Sequence, residues 1–135
     1  MRAKFSAFIL LILAVGTFQV EAKTNQTVAV KINNQKTVAK TRLTIKFDSL
    51  IEDSRCPKGT QCIQAGNARI RITVSKGGKS DMFELGTNLN PRATVFAGYE
   101  IKFTGLTPYP ANNIRIDRNG YVATFVVSKN RKNKF

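Results

Sequence analysis

The sequence has no histidine, and only two of its 135 residues are cysteine. The commonest general base and metal ligand is therefore missing. Acidic residues are few as well, 8 against 22 lysines and arginines. Paired-carboxylate chemistry thus has few candidates, and nucleophilic catalysis is left with residues such as Ser54 or a lysine, none with an evident partner base. No catalytic residue is assigned, and a non-enzymatic protein is expected. Two thiolates fall short of the four ligands of a structural zinc site, so neither a metal nor a cofactor is expected. Helical periodicity, internal repeats and linkers are also absent. Beyond the N-terminus no apolar run is long enough to cross a bilayer.

What is there begins with an export signature. Met1-Arg2-Ala3-Lys4 is basic, residues 5–16 (FSAFILLILAVG) are uncharged and apolar, and Val20-Glu21-Ala22 places small residues at −3 and −1 of a cleavage site. The apolar run is about 12 residues, whereas a membrane span needs about 20. Residues 1–22 therefore read as a signal peptide, with the mature chain starting at Lys23 and the protein secreted or periplasmic. Removing Arg2, Lys4 and Glu21 leaves 20 basic and 7 acidic residues, a net charge of +13. Such a charge concentrates anionic partners near the surface and speeds encounter with them.

The rest alternates with period two. Val28, Val30 and Ile32; Leu43, Ile45 and Phe47; Ala68, Ile70, Ile72 and Val74; and Tyr99, Ile101 and Phe103 are each interleaved with polar or small residues. That is the pattern of strands with one buried and one wet face. Residues 121–127 (YVATFVV) are apolar on both faces near their end, which predicts a central, doubly covered strand. Asn33-Asn34, residues 88–91, Gly98, Pro108-Tyr109-Pro110 and Asn119-Gly120 punctuate the runs. Lys76-Gly77-Gly78-Lys79 predicts a hairpin. Seven or eight strands without a helix predict a single all-β domain over residues 23–128, an immunoglobulin-like antiparallel β-sandwich, with a small barrel as the alternative. Residues 129–135 (KNRKNKF) read as a basic tail.

Cys56 and Cys62 have five residues between them, including Pro57 and Gly59, which let the chain turn tightly. In an oxidising compartment the pair is expected to form a disulfide. A redox pair is the rival reading, usually at Cys-x-x-Cys spacing. Asp48, Glu52, Asp53 and Arg55 form the one acidic cluster. Loop scaffolding is the expected role, with Asp53 accepting from loop amides and Arg55 neutralising it; metal binding and catalysis are the rivals. Lys46, Arg69, Arg71 and Lys102 all point outward on their strands. They make a candidate anion-binding stripe if those strands are neighbours, and an ordinary solvated face otherwise. Aromatics are sparse between them, which disfavours nucleic-acid binding by base stacking. Tyr109, in the proline segment, is a candidate protein contact or a lid on the core.

The run Asp53-Ser54-Arg55-Cys56-Pro57, followed by Cys62-Ile63-Gln64-Ala65-Gly66, resembles a motif of small exported bacterial proteins. These read D-S-R-C-P, a spacer of about five residues, then C-[IV]-W-A-G and an alternating strand. Many carry a late L-x-P-x-P segment, matched here by Leu106, Pro108 and Pro110, before a final strand near a tyrosine, here Tyr121. The resemblance spans about Leu43 to Val127 and implies export and a β-sandwich. It implies no activity, so it transfers no functional residue. Gln64 stands where those proteins have tryptophan.

Two functions compete. One is a non-catalytic binding protein, an inhibitor or envelope-associated factor, that meets a protein through the disulfide loop. The other is a charge-driven binder of anionic surfaces such as lipopolysaccharide, acidic polysaccharide or nucleic acid.

Overall fold

Alternating apolar residues become strands because each turns one row of side chains into a shared core. The computed structural model describes residues 16–18, 25–88 and 91–130. Eight strands run in chain order as β1 (Gln26–Lys31), β2 (Gln35–Thr37), β3 (Thr44–Asp53), β4 (Ala68–Lys76), β5 (Lys79–Gly86), β6 (Ala93–Phe96), β7 (Tyr99–Thr107) and β8 (Val122–Lys129). They form two antiparallel sheets of four, ordered β1-β8-β7-β6 and β2-β3-β4-β5. The protein is an all-β sandwich, and the sheets do not close into a barrel. Neighbours in each sheet are consecutive in the chain, apart from β1 beside β8, so most connections join adjacent antiparallel strands of one sheet.

The inward row is the one expected from the pattern. Val30, Leu43, Ile45, Phe47, Ala68, Ile70, Ile72, Val74, Ile101, Phe103, Ala123, Phe125 and Val127 are all buried. Phe103 and Phe125, directly opposed on β7 and β8, stack with ring centroids 5.7 Å apart. Phe83 and Phe96 meet edge to face at 6.2 Å and join the two sheets near one margin. The predicted hairpin forms, with Lys76 opposite Lys79 and Gly77 and Gly78 both at positive φ, 58° and 78°. Two successive positive-φ residues are what a tight two-residue turn demands, and glycine meets that demand without strain.

Two details differ from expectation. β8 is central in its sheet, but its outward residues Val122, Thr124 and Val126 are only half-buried, so it is fully covered on one face alone. Lys129, placed in the tail, closes β8 opposite Tyr99. The predicted signal peptide, apart from residues 16–18, and residues 131–135 of the tail lie outside the described residues. No helix among the described residues is long and apolar enough to cross a membrane.

Candidate functional site

The connection from β3 to β4, residues 54–67, is longer than a hairpin turn and carries both cysteines. Its two ends are laced together. The Ser54 amide donates to the Asn67 carbonyl at 2.8 Å, and the Asn67 amide donates to Ser54 Oγ at 3.0 Å. Gly66 crosses so close that a Cβ built on it would sit 1.5 Å from the Ser54 carbonyl oxygen. Only glycine permits that approach. Asn67, buried, then ties the loop to the end of β5: its Oδ1 accepts from Thr87 Oγ1 at 3.3 Å and from the Asn88 amide at 2.9 Å.

Beneath the loop lies a buried ion pair. Arg55 Nε donates to Asp53 Oδ1 at 2.8 Å and Nη2 donates to Oδ2 at 2.9 Å, a two-pronged contact. Both side chains are almost wholly shielded, with 6% and 10% of their area exposed. The guanidinium also reaches the end of β7 and the connection after it, where Nη1 donates to the Leu106 carbonyl at 2.6 Å and Nη2 to the Pro108 carbonyl at 3.0 Å. The Tyr109 ring faces the guanidinium, its centroid 4.9 Å from Cζ. The Tyr121 hydroxyl donates to Asp53 Oδ2 at 3.2 Å. Burial pushes the Asp53 carboxyl up, but the hydrogen bonds and charge of Arg55, with the Tyr121 hydroxyl, outweigh it and hold Asp53 below the usual carboxylate value. Burial, and next the Asp53 charge, push Tyr121 above the usual phenol value.

The outer part of the loop is closed by the Cys56–Cys62 disulfide, with Cα atoms 6.0 Å apart. It rests on the same proline segment. The Lys58 amide donates to the Pro110 carbonyl at 2.9 Å, and Thr60 Oγ1 donates to Asn112 Oδ1 at 2.8 Å. The Lys58 ammonium stands 5.7 Å from the centre of the Tyr109 ring. What this clamp presents to solvent is the run Gln61 to Ala65, exposed throughout, with Ile63 fully exposed at its centre. Tyr109 is 43% exposed and Ile114, in the neighbouring connection, 59%.

The loop-scaffold residues Asp53, Arg55, Pro57 and Gly59 thus converge on one end of the sandwich. Tyr109 is there too, but it covers Arg55 rather than capping the apolar core. The condition for a single basic stripe, that its strands be neighbours, is not met by all four candidates. Lys46 lies on β3 and Arg69 and Arg71 on β4, whereas Lys102 lies on β7 in the opposite sheet. The three that share a sheet are neutralised in place. Lys46 pairs with Asp48 at 3.6 Å, Arg69 with Glu52 at 3.7 Å and Glu84 at 3.8 Å, and Arg71 with Glu84 at 3.0 Å. Cross-strand pairing of opposite charges is an ordinary way to stabilise a wet sheet face.

Several members of the site were not expected from the sequence. Ile63 and Gly66 lie inside the cysteine motif and Asn67 directly follows it, and the sequence assigns none of them a role. The sequence marks Tyr121 only as the start of a strand. The Leu106 and Pro108 carbonyls are backbone groups and carry no side-chain signal. Among the described residues no group of three or more histidine, cysteine, aspartate or glutamate side chains is placed to hold a metal ion.

No protein-family model matches this chain, and neither a curated protein nor a solved structure matches it.

Proposed function

We propose that this is an exported, non-catalytic binding protein that engages a protein partner through the disulfide loop. The observation that carries the reading is Ile63, a large apolar side chain left wholly in solvent at the centre of a loop that is otherwise tied down. The disulfide, the Ser54–Asn67 lacing and the seat on the proline segment hold that loop before any partner arrives. A loop ordered in advance loses little further entropy on binding, so its contact energy goes into affinity. Tyr109 and Ile114 at the same end add apolar surface, and Lys58 adds a cationic rim. Anchors of this kind, apolar at the centre and polar around, characterise protein contacts.

Export is supported by the N-terminal signature and by the disulfide, which persists in oxidising compartments. Both oxygens of Asp53 are engaged by Arg55 and Tyr121, which leaves that carboxylate occupied with structure.

The test is capture of partners from the native envelope or secretome, comparing the mature protein with Ile63→Asp at low and moderate salt. A partner retained at both salt concentrations and lost with Ile63→Asp supports the reading. Capture indifferent to Ile63→Asp overturns it. Intact mass of the exported protein is expected to show Lys23 as the first residue.

A further inference from the structure

Five cations that form no salt bridge among the described residues collect at the opposite end of the molecule. Four elements meet there: the turn between β2 and β3, the β4–β5 hairpin, the start of β7 and the end of β8. The hairpin supplies Lys76 and Lys79, and Arg42 lines the same shallow cleft beside them, together with Gly77 and Gly78. The Lys76 ammonium sits 4.6 Å above the Tyr99 ring, and Tyr99 is paired with Lys129 across β7 and β8. Lys40 is in the turn that carries Arg42, and Gln26 at the start of β1 holds this turn by donating from Nε2 to the Ala39 carbonyl at 2.7 Å. Among the described residues none of Lys40, Arg42, Lys76, Lys79 and Lys129 forms a salt bridge. The nearest carboxylates along these strands are Asp81, which accepts from the Met82 amide at 2.9 Å, and Glu100. Neither is paired with the five cations. Past Asn130 the sequence carries three more bases, Arg131, Lys132 and Lys134.

We propose that this pole docks onto a phosphate-bearing anionic lipid surface. Three features favour a lipid surface over an anionic polymer or nucleic acid. The cations come from separate turns spread across one end of a sandwich, an arrangement suited to a plane, and the cleft among them is short. At the tip, Gly77 and Gly78 carry no side chains, and space is open around both, so backbone and ammonium groups approach a surface together. Tyr99 lies beneath Lys76 and is half-buried, so it offers no open stacking platform to bases. Basic side chains at an anionic bilayer act additively and are screened by salt. This surface is at the far end of the strands from the disulfide loop, and the proposal is independent of the loop reading.

The test is co-sedimentation of the mature protein with phosphatidylcholine vesicles, with and without phosphatidylglycerol, at low and moderate salt. Binding is expected only with phosphatidylglycerol, and weaker at moderate salt. Lys40→Glu, Arg42→Glu and Lys79→Glu together are expected to weaken it by about a hundredfold. A control triple of Lys31→Glu, Lys102→Glu and Arg115→Glu changes the net charge equally, and its loss is expected to stay within about threefold. Because these six side chains are exposed, both triples should keep the wild-type melting temperature. If the first triple does not fold, Lys40→Gln, Arg42→Gln and Lys79→Gln together must still weaken binding more than the control does. Equal losses in both triples would show an effect of net charge alone and overturn the site. Wild-type indifference to phosphatidylglycerol, or binding to heparin with none to vesicles, would overturn the lipid surface.

Discussion

Arg55 grips Asp53 with two hydrogen bonds, and both side chains are nearly sealed from water although they sit only two residues apart, where β3 runs out into a surface connection. The pair is the pivot of the whole end of the sandwich. From it Arg55 reaches the Leu106 and Pro108 carbonyls, and Asp53 reaches Tyr121. An ion pair taken out of water is tolerated only when its remaining hydrogens and lone pairs are also satisfied, and here the proline segment and Tyr121 provide that.

Removing one partner should therefore be costly. Arg55→Met and Asp53→Asn are each expected to lower unfolding stability by about 3 kcal/mol, because each leaves buried polar groups without their charge partner. The double variant should cost clearly less than the two added together. Urea unfolding of the four proteins measures this. Strict additivity would mean that the pair does not act as a unit.

Acid should undo the same contact. The Asp53 pKa is lowered in the fold, so its contribution is present above the ordinary carboxylate value, about 3.9, and is lost as pH falls through the folded value. Melting temperature followed from neutral pH to strong acid should drop below about pH 4. Asp53→Asn, already destabilised, should show a shallower drop. Tyr121 has the opposite sign. Its pKa is raised, so its contribution holds below about pH 10 and fades above it. Tyr121→Phe should remove that alkaline loss and cost about 1 kcal/mol at neutral pH.

Gly66→Ala tests the lacing of the loop. The added methyl would meet the Ser54 carbonyl oxygen and carbon at 1.5 and 2.3 Å, so backbone must move. The expected loss is about 3 kcal/mol, the upper end for overpacking. Amide exchange should speed up at Ser54 and Asn67, which hydrogen-bond each other across the crossing. A stability within about 0.5 kcal/mol of wild type, the range of an ordinary surface change, would contradict the close approach.

Replacing Cys56 and Cys62 with serine should cost about 2 kcal/mol, since the ring closed by the disulfide is short. The fold should survive, because the buried rows of β3, β4, β7 and β8 lie outside the loop. Limited proteolysis should cut the variant between residues 57 and 65 and leave the wild type intact there. Mass mapping of the protein isolated from its native source should find one bridge and no free thiol.

The strands, the Gly77–Gly78 hairpin and the inward row from Leu43 to Val127 could be read from the sequence because they follow from local rules. A period of two puts alternate side chains on one face whatever the neighbours are, and a turn with two positive-φ residues selects glycine. The staple was legible for the same reason, since proline and glycine between two close cysteines bring the sulfurs together. Strand order is another matter. Arg71 and Lys102 obey the same alternation, yet the tertiary structure puts one beside Glu84 and the other on the opposite sheet. Asp53 and Tyr121 are 68 residues apart, and Arg55 meets carbonyls 51 and 53 residues away, contacts that no local pattern encodes. The same holds for the pole where Lys40, Arg42, Lys76, Lys79 and Lys129 gather. The sequence alone determined that the chain makes one-faced strands, one tight hairpin, a short disulfide ring and an excess of positive charge. Which cations are neutralised, which are left together, and what holds the loop in place were decided only when the sheets packed, because those depend on which distant strands become neighbours.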